Sequence, residues 1–325
     1  MAGTSWIVTG GAGYIGAHVV RALLASGRSA VVVDDLSTGS TSRLPSSVEC
    51  MEMSVLDTAA LTKLMRQVQP AGVVHLAGKK SPTESMADPL LYARENAGGV
   101  ISLAEALQAA GVPRVVFSSS CSVYGTPDVE SVDEDSPTVP QSPYGESKLF
   151  GERVLNASAA AYGLRVINLR YFNAVGAAGP ELGDTGAYNL VPLVFRALRQ
   201  GRPAKVFGGD YATPDGTCVR DYVDVRDLAD AHVRAAQALE EDVRTATYNV
   251  GRGEGSSVLE VLDLIRAASG RPLEHEVVPR RPGDPARIVG RVDRINRELG
   301  WRSRYDLADM VSSAWQAEAA LQSLR

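Results

Sequence analysis

The chain has 325 residues and a formal net charge of −5 at neutral pH, a balance that argues against the basic surface of a nucleic-acid-binding protein. No apolar run approaches the roughly 18 residues of a membrane-spanning helix, and a strand is predicted almost from Met1, which leaves no room for a signal peptide. The few, widely spaced cysteines Cys50, Cys121 and Cys218 suit a reducing cytoplasm and indicate neither disulfides nor zinc. The histidines also lack metal-ligand spacing, so we expect a cytoplasmic protein without bound metal.

The first predicted elements are a strand, a glycine-rich turn and a helix. Residues 6–9 are apolar and rich in β-branched side chains, which is typical of a strand. A GxxGxxG sequence follows at residues 10–16, and apolar residues then recur at helical spacing. Glycines let the backbone approach a pyrophosphate, and a helix N-terminus supplies free N–H groups. The pattern predicts a dinucleotide site, although its spacing is not GxGxxG. The alternative is a glycine turn without a ligand.

The second predicted strand, residues 30–33, ends in Asp34 and Asp35. An acidic residue about 20 positions after the glycines accepts hydrogen bonds from a ribose 2′-hydroxyl and would repel a 2′-phosphate. Asp34 therefore predicts NAD rather than NADP as the cofactor, while Asp35 is equally consistent with an exposed loop carboxylate.

Strand and helix patterns continue to alternate through the first half of the chain. Strands are predicted at residues 48–51, 72–76, 114–117 and 164–169, and helices at 61–68, 89–110 and 144–162. Alternating βα units predict an α/β fold with a doubly wound, Rossmann-like parallel sheet. Because ligands bind at the carboxyl ends of such strands, four residues that follow strand ends are expected to converge: Gly78, Ser120, Tyr144 and Arg170.

The sequence YGESK places a phenol and an ammonium side by side. Tyr144 and Lys148 are four residues apart, so they share one face of a helix. A free tyrosine is a poor base at neutral pH, but a nearby lysine cation favours the phenolate, as would the positive ring of an oxidised nicotinamide. The phenolate could then take a proton from a sugar or alcohol hydroxyl. Ser120 could hydrogen-bond both groups and relay the proton.

The pattern changes after about residue 173, where prolines and glycines become frequent and short strands alternate with loops and helices. We divide the chain into a nucleotide-binding domain, residues 1–173, to which later segments return, and a smaller C-terminal α/β substrate lobe, mainly residues 174–325. Residues 307–324 have the pattern of an amphipathic helix.

Several motifs resemble those of the extended short-chain dehydrogenase/reductase family and, within it, of the UDP-glucose 4-epimerase family. They are GGAGYIG at residues 10–16, HLAG at 75–78, SSSCSVYG at 118–125, PQSPYGESK at 140–148, LRYFN at 169–173, GTCVRDY at 216–222 and RRPGD at 280–284. The resemblance runs nearly from end to end. It implies an NAD-dependent isomerase of galactose metabolism that oxidises C4 of a UDP-hexose to a 4-keto sugar and reduces it again on the opposite face.

The resemblance also implies roles for individual residues. The reacting groups would be Tyr144, Lys148 and Ser120. The NAD site would consist of Gly10, Gly13, Tyr14, Ile15, Gly16, Asp34, Asp35, Leu36, Ser37, Thr38, Gly39, Ser54, Val55, Leu76, Ala77, Gly78, Lys80, Asn96, Ser118, Lys148 and Phe172. The UDP-hexose site would consist of Lys80, Ser120, Ser122, Tyr144, Asn173, Asn189, Leu190, Lys205, Val206, Phe207, Arg220, Arg281, Asp284 and Ile288.

Some features leave alternatives open. Ser54 stands where the family commonly has an aspartate that touches the adenine, which would loosen NAD. Isoleucine at position 288 is smaller than the tyrosine of some members, so an N-acetylated UDP-sugar could be accepted. Epimerisation of another UDP-sugar, such as a UDP-pentose or a UDP-uronic acid, is a separate alternative. A nucleotide-sugar 4,6-dehydratase is a further alternative, but Cys121 and Ser122 replace the acidic pair of those enzymes. The predicted helices at 89–110 and 144–162 could form a homodimer, as in the family, or be buried within one chain.

Overall fold

A computed structural model of the chain describes residues 4–323 with the exception of residues 187, 242, 244 and 282. Pro282 of the RRPGD motif and Leu324 of the predicted terminal helix therefore lie outside the described residues. The strands are β1 (Ser5–Thr9), β2 (Ser29–Asp34), β3 (Glu49–Glu52), β4 (Gly72–His75), β5 (Arg114–Ser120), β6 (Arg165–Tyr171), β7 (Asn173–Val175), β8 (Ala204–Phe207), β9 (Val219–Asp224), β10 (Ala246–Val250), β11 (Gly255–Ser257), β12 (His275–Val278) and β13 (Arg287–Ile288). The α-helices are α1 (Tyr14–Ala25), α2 (Thr58–Val68), α3 (Pro82–Ala87), α4 (Pro89–Tyr92), α5 (Gly99–Ala110), α6 (Pro143–Tyr162), α7 (Leu190–Arg199), α8 (Val225–Glu240), α9 (Val258–Ser269), α10 (Asp293–Leu299) and α11 (Leu307–Ser323).

The larger sheet contains seven strands in the spatial order β10-β6-β5-β4-β1-β2-β3. Each neighbouring pair is parallel. This is the order of a Rossmann-like fold, in which the direction of winding reverses between β1 and β4. The predicted doubly wound parallel sheet is confirmed, and the crevice at the switch point is where such folds bind ligands.

Apolar side chains cover both faces of this sheet. Ile7 and Val8 are neighbours in β1 and therefore point to opposite faces. Val8 belongs to a buried cluster with residues of α1 and α8, while Ile7 belongs to a second buried cluster with residues of α2 and α5. Burial on both faces explains why the strands read as continuous apolar runs in the sequence.

The chain leaves the larger sheet after β6 and later returns to it. Helix α8 packs against α1, and β10 pairs with β6 from Ala246 opposite Ile167 to Val250 opposite Tyr171. The intervening and following segments form a smaller lobe with a four-stranded sheet of β11, β9, β13 and β7, together with the separate pair β8 and β12. The core of this lobe contains buried residues of α7, α9 and α11, among them Phe195, Leu262 and Met310.

The predicted helix at residues 89–110 differs from the observed structure in its middle. A π-helical segment, Ala93–Gly98, separates α4 from α5. It contains Asn96, whose side-chain oxygen accepts a hydrogen bond from the Lys79 N–H at 2.7 Å and whose amide donates to the Lys79 carbonyl at 3.0 Å. Asn96 thereby fixes the turn that follows β4, and π-helical segments are frequent at functional sites.

Candidate active site

The glycine turn after β1 packs too closely for side chains. Gly10 has a φ of +70°, and a Cβ there would lie 2.7 Å from the Ala77 nitrogen. A Cβ at Gly16 would lie 2.1 Å from the Gly10 carbonyl oxygen. Helix α1 has no side-chain hydrogen bond at its N-cap, so the N–H groups of its first turn are free to bind an anion. This turn fits the diphosphate of a dinucleotide.

Asp34 ends β2 beside the glycine turn and is buried. Its Oδ2 accepts a hydrogen bond from the Ala12 N–H and its Oδ1 one from the Leu36 N–H, both at 2.9 Å. Burial raises the pKa of Asp34, while these two N–H groups act in the opposite direction. Each carboxylate oxygen has lone-pair capacity left for a ribose hydroxyl. Asp35 is exposed and bonds to Ser37.

A cavity of about 490 Å³ lies at the switch point, which is within the usual size range of ligand sites. The sequence-predicted residues that line it are Gly10, Gly13, Tyr14, Ile15, Gly16, Asp34, Asp35, Ser37, Thr38, Ser54, Val55, Leu76, Ala77, Gly78, Lys80, Tyr144 and Lys148. The sequence-predicted residues outside this lining are Leu36, Gly39, Asn96, Ser118, Ser120, Ser122, Phe172, Asn173, Asn189, Leu190, Lys205, Val206, Phe207, Arg220, Arg281, Asp284 and Ile288. The ligand-binding role of each remains a prediction.

Helix α6 presents Tyr144 and Lys148 to the cavity. The helix starts after Ser142, whose hydroxyl accepts a hydrogen bond from the Gly145 N–H at 3.2 Å. The Lys148 Nζ donates to the Ser118 carbonyl at 2.9 Å and lies 5.9 Å from the centre of the Tyr144 ring. Ser120 ends the neighbouring strand β5, and its Oγ lies 3.1 Å from the Ser122 hydroxyl oxygen. The three predicted reacting residues thus meet at one end of the parallel sheet.

The protein environment does not by itself make Tyr144 acidic. Burial raises its pKa to about 12, and the hydrogen bond with Ser120 only partly opposes this effect. In the protein without a bound cofactor, desolvation of the phenolate is the larger effect. That Lys148 and an oxidised nicotinamide favour the phenolate stays a prediction. Burial also lowers the pKa of Lys148 to about 8, so the ammonium form still predominates at neutral pH.

Arg170 does not join the cavity as expected from its position near a strand end. It lies inside β6, and its Nε and Nη2 donate to the two Glu152 carboxylate oxygens at 2.9 and 2.7 Å. Tyr171, the next residue, lines the cavity instead, because successive side chains in a strand point to opposite faces.

Several predicted substrate residues of the smaller lobe contact one another. The Arg220 Nη2 lies 3.7 Å from the Asp284 Oδ1, and the Arg281 guanidinium lies 3.7 Å from the centre of the Phe207 ring. Lys205 precedes Phe207 by two positions in β8 and shares its face, whereas Val206 between them is buried in the lobe core. The Asp284 N–H donates to the Arg281 carbonyl at 3.3 Å, which links the two groups through the backbone. A guanidinium beside an aromatic ring suits a nucleoside diphosphate.

Other predicted substrate residues make contacts within the protein. The Asn173 side chain donates to the Asp221 carbonyl at 3.1 Å. The Asn189 side chain donates to the Asp184 carboxylate at 3.4 Å, immediately before Leu190 starts α7. Ile288 is buried in a cluster that contains Tyr124 and Phe172.

Several residues line the cavity without having been predicted from the sequence. They are Val33, Arg43, Met53, Lys79, Glu95, Tyr171, Asp184, Thr185, Gly186, Tyr188 and Arg196. Residues 184–186 and Tyr188 come from the second half of the chain and line the cavity. They meet the first half there, with the Lys80 Nζ 3.4 Å from the Asp184 Oδ1. No local sequence signal marks such residues, since they reach the cavity only through tertiary contacts.

The buried histidines are neutral core residues. Burial lowers the pKa of His18 and His232 to about 4 and that of His75 to about 3. In the part of the chain that the structure describes, no group of three or more His, Cys, Asp or Glu side chains is arranged to hold a metal ion. None of the described helices has the length and apolar character needed to cross a bilayer.

Comparison with known proteins agrees with this geometry. The model of the NAD dependent epimerase/dehydratase family matches residues 6–251. The UDP-glucose 4-epimerase of Azospirillum brasilense is 43% identical over 97% of this chain and 92% of its own length. A crystal structure of UDP-glucose-4-epimerase from Stenotrophomonas maltophila with bound NAD and formylated UDP-arabinopyranose is 38% identical, with a TM-score of 0.94 over 99% of this chain and 100% of the other. The structure of the UDP-Glc/GlcNAc 4-epimerase from Campylobacter jejuni is 33% identical, with a TM-score of 0.86 over 98% and 99% of the two chains. The chain therefore belongs to the NAD-dependent epimerase/dehydratase family and, within it, to the UDP-glucose 4-epimerases.

Proposed function

We propose that this protein interconverts UDP-glucose and UDP-galactose by inverting the configuration at C4. The observation that carries the proposal is a single cavity in which Tyr144 and Lys148 face the glycine turn and Asp34. The Azospirillum brasilense relative, 43% identical over 97% of this chain, is a UDP-glucose 4-epimerase. We assign the nucleotide-binding role mainly to residues 1–173 and the UDP-sugar to residues 174–325.

In this mechanism Tyr144 holds and moves the proton of the C4 hydroxyl. The glycine turn and Asp34 would hold NAD, which would supply reversible hydride storage, so the net reaction would consume no external oxidant. Ser120 hydrogen-bonds the phenol and lowers its pKa, and the buried Lys148 ammonium adds positive charge to the same site. Arg220 and Arg281 would bind the diphosphate as planar, permanently charged groups, with Phe207 beside the uracil.

The direct test is to incubate the purified protein with UDP-galactose and follow formation of UDP-glucose without adding an oxidant. Accumulation of UDP-glucose to a constant ratio is the expected result. Formation of a 4-keto-6-deoxy sugar would instead show a dehydratase. The structure disfavours that alternative, because burial raises the pKa of the Cys121 thiol to about 12 and leaves it a poor acid–base group at the position beside Ser120.

We predict that the cofactor released by denaturing the purified protein is NAD and not NADP. A carboxylate at Asp34 bonds a ribose hydroxyl but repels a 2′-phosphate. Mass spectrometry of the released nucleotide measures this directly. Recovery of mainly NADP would contradict the role of Asp34, even if the protein epimerised UDP-galactose.

Our prediction of which UDP-sugars the protein accepts depends on Ile288. By resemblance Ile288 forms the wall near the sugar C2 substituent, and β13 places it opposite Arg220 in the pairing with β9. We expect good activity on UDP-galactose and weak activity on UDP-N-acetylgalactosamine. Ile288→Tyr should abolish the second activity and spare the first, because the bulkier ring excludes only the larger sugar.

The control for this prediction is Ile288→Leu, which conserves volume and should retain both activities. Ile288 is 5% exposed and packs in the same cluster as Phe172. Equal loss of both activities in Ile288→Tyr would therefore show that this position serves the core and not substrate choice.

We also propose that the protein is a cytoplasmic homodimer. Apolar residues stay exposed on helices α3 to α6: Met86, Leu90, Ile101, Phe150 and Tyr162. Helices α5 and α6 pack together and carry three of these residues, so we place the contact with a second copy on this pair of helices.

Glutamate at Ile101 and Phe150 together should convert a dimer to a monomer, because charge cannot be buried without a partner. Light scattering coupled to size exclusion measures the mass. Val277→Glu is the matched control, since Val277 is exposed but lies on β12 in the smaller lobe. A monomeric wild-type protein would rule out the proposed pairing.

A further inference from the structure

A buried arginine lies at the cofactor cavity without a role in the proposed chemistry. Arg43 ends a short 3₁₀ turn after β2, is 7% exposed and lines the cavity. Its Nη2 donates to the Thr185 hydroxyl at 2.8 Å, and its Nη1 to the Ala12 carbonyl at 3.5 Å. Arg43 therefore joins the glycine turn to the segment that arrives from the second half of the chain.

Asp34 and Arg43 bind the N–H and the carbonyl of the same residue, Ala12. The Ala12 N–H donates to the Asp34 Oδ2 at 2.9 Å, and the Ala12 carbonyl accepts from Arg43. The positive charge of Arg43 also opposes the rise that burial causes in the pKa of Asp34. A guanidinium and a carboxylate thus flank the point where the fold receives the adenosine ribose.

The hydrogen bonds of Arg43 leave most of its capacity unused. Its Nη1 and Nη2 each donate to one protein acceptor, the first at the limit of hydrogen-bond length, and its Nε has no acceptor among the described residues. None of its nitrogen atoms is both buried from solvent and unpartnered. The remaining N–H groups can therefore reach a ligand in the cavity.

We propose that Arg43 is a latent 2′-phosphate-binding residue and that Asp34 alone makes this cavity select NAD over NADP. The inference rests on the proposed cofactor site. In dinucleotide-binding folds an acidic residue bonds the ribose 2′-hydroxyl, and an arginine nearby accommodates a 2′-phosphate. Here both are present, and guanidinium is the side-chain group that matches phosphate geometry best. Removing the carboxylate should expose a ready phosphate site.

The test compares the nucleotide bound by five proteins: wild type, Arg43→Met, Asp34→Ser, Asp34→Ser/Arg43→Met and Asp34→Ser/Arg21→Met. Each is incubated with an equimolar mixture of NAD and NADP, desalted and denatured, and the released nucleotides are quantified by mass. We expect the NADP-to-NAD ratio to rise at least tenfold in Asp34→Ser and to fall back in the Arg43 double variant. Arg21 is the matched control, since it donates to the Arg43 carbonyl and pairs with Glu181 outside the cavity lining. Its double variant should keep the high ratio.

Three results would overturn the inference. The first is an NADP-to-NAD ratio that does not rise in Asp34→Ser. The second is a rise in the ratio that persists without Arg43. The third is an Arg43→Met variant of the wild type whose NAD content falls more than threefold, because Arg43 would then bind the diphosphate that both nucleotides share. Asp34→Asn provides a second background should Asp34→Ser fail to fold. Wild-type protein that binds neither nucleotide would contradict the proposed function itself, which separates the two failures.

Discussion

Replacing Tyr144 by phenylalanine should lower kcat for UDP-galactose by about 10²- to 10⁴-fold, the range typical for loss of a positioned acid–base group. The substitution removes one hydroxyl and keeps the ring, which packs edge-on against Tyr92 with ring centres 6.2 Å apart. Fold and cofactor content should therefore change little. Initial rates of UDP-glucose formation, normalised to bound NAD, provide the measurement.

The control is Tyr162→Phe, the same substitution on the same helix at a residue that is 63% exposed. It should leave the rate within twofold of wild type, a bound set by the precision of rate assays. A Tyr144→Phe variant with near-wild-type turnover would show that another group takes the C4 hydroxyl proton. Loss of bound NAD in that variant would show that the phenol holds the cofactor and does not act only on the substrate.

The raised pKa of Tyr144 explains why deprotonation of its phenol should depend on nearby positive charge. With its pKa raised to about 12 by burial, the phenol is a weaker acid in the protein than in water. Positive charge from a bound oxidised nicotinamide and from Lys148 is what would favour the phenolate. Proton transfer should therefore be efficient only in the complex with oxidised cofactor. Without that cofactor Tyr144 should stay protonated and therefore unreactive as a base.

Local spacing made the central part of the site predictable. Tyr144 and Lys148 are four residues apart, so any helix over this segment places them together. The glycine turn was predictable for a similar reason, since a strand, a turn and a helix N-terminus follow one another within residues 6–24. These arrangements depend on a few consecutive residues and not on the rest of the fold.

Residues brought in by tertiary contact were not predictable in the same way. Arg43 and Thr185 are 142 positions apart in the chain and meet only at the cavity. Arg170 was expected at the cavity because it lies near a strand end, but Tyr171 turned out to line it. A shift of one residue in a strand reverses the face to which a side chain points, and strand ends are not fixed by sequence to within one residue.

The buried ion pair between Arg170 and Glu152 predicts a large effect of substitution on the free energy of unfolding. Arg170 and Glu152 form a pair whose side chains are 8% and 4% exposed. The Ser119 hydroxyl also donates to the Glu152 carboxylate, and the Arg170 Nη1 also donates to the Tyr124 hydroxyl at 3.1 Å. Glu152 lies four residues after Lys148 on the same face of α6, so this network ties the helix that carries Tyr144 to the sheet.

Arg170→Met should lower the free energy of unfolding by about 3–5 kcal/mol, because it leaves the Glu152 carboxylate buried without its counter-charge. Urea unfolding of samples with equal cofactor content measures this. Arg297→Met is the control, since Arg297 pairs with Glu298 on the surface with 68% of its side chain exposed, where such pairs contribute about 0–1 kcal/mol. Arg170→Met/Glu152→Met should be more stable than Arg170→Met alone, because it removes the uncompensated charge. A double variant that is less stable than the single would show that Glu152 stabilises the fold through Ser119 and not through Arg170.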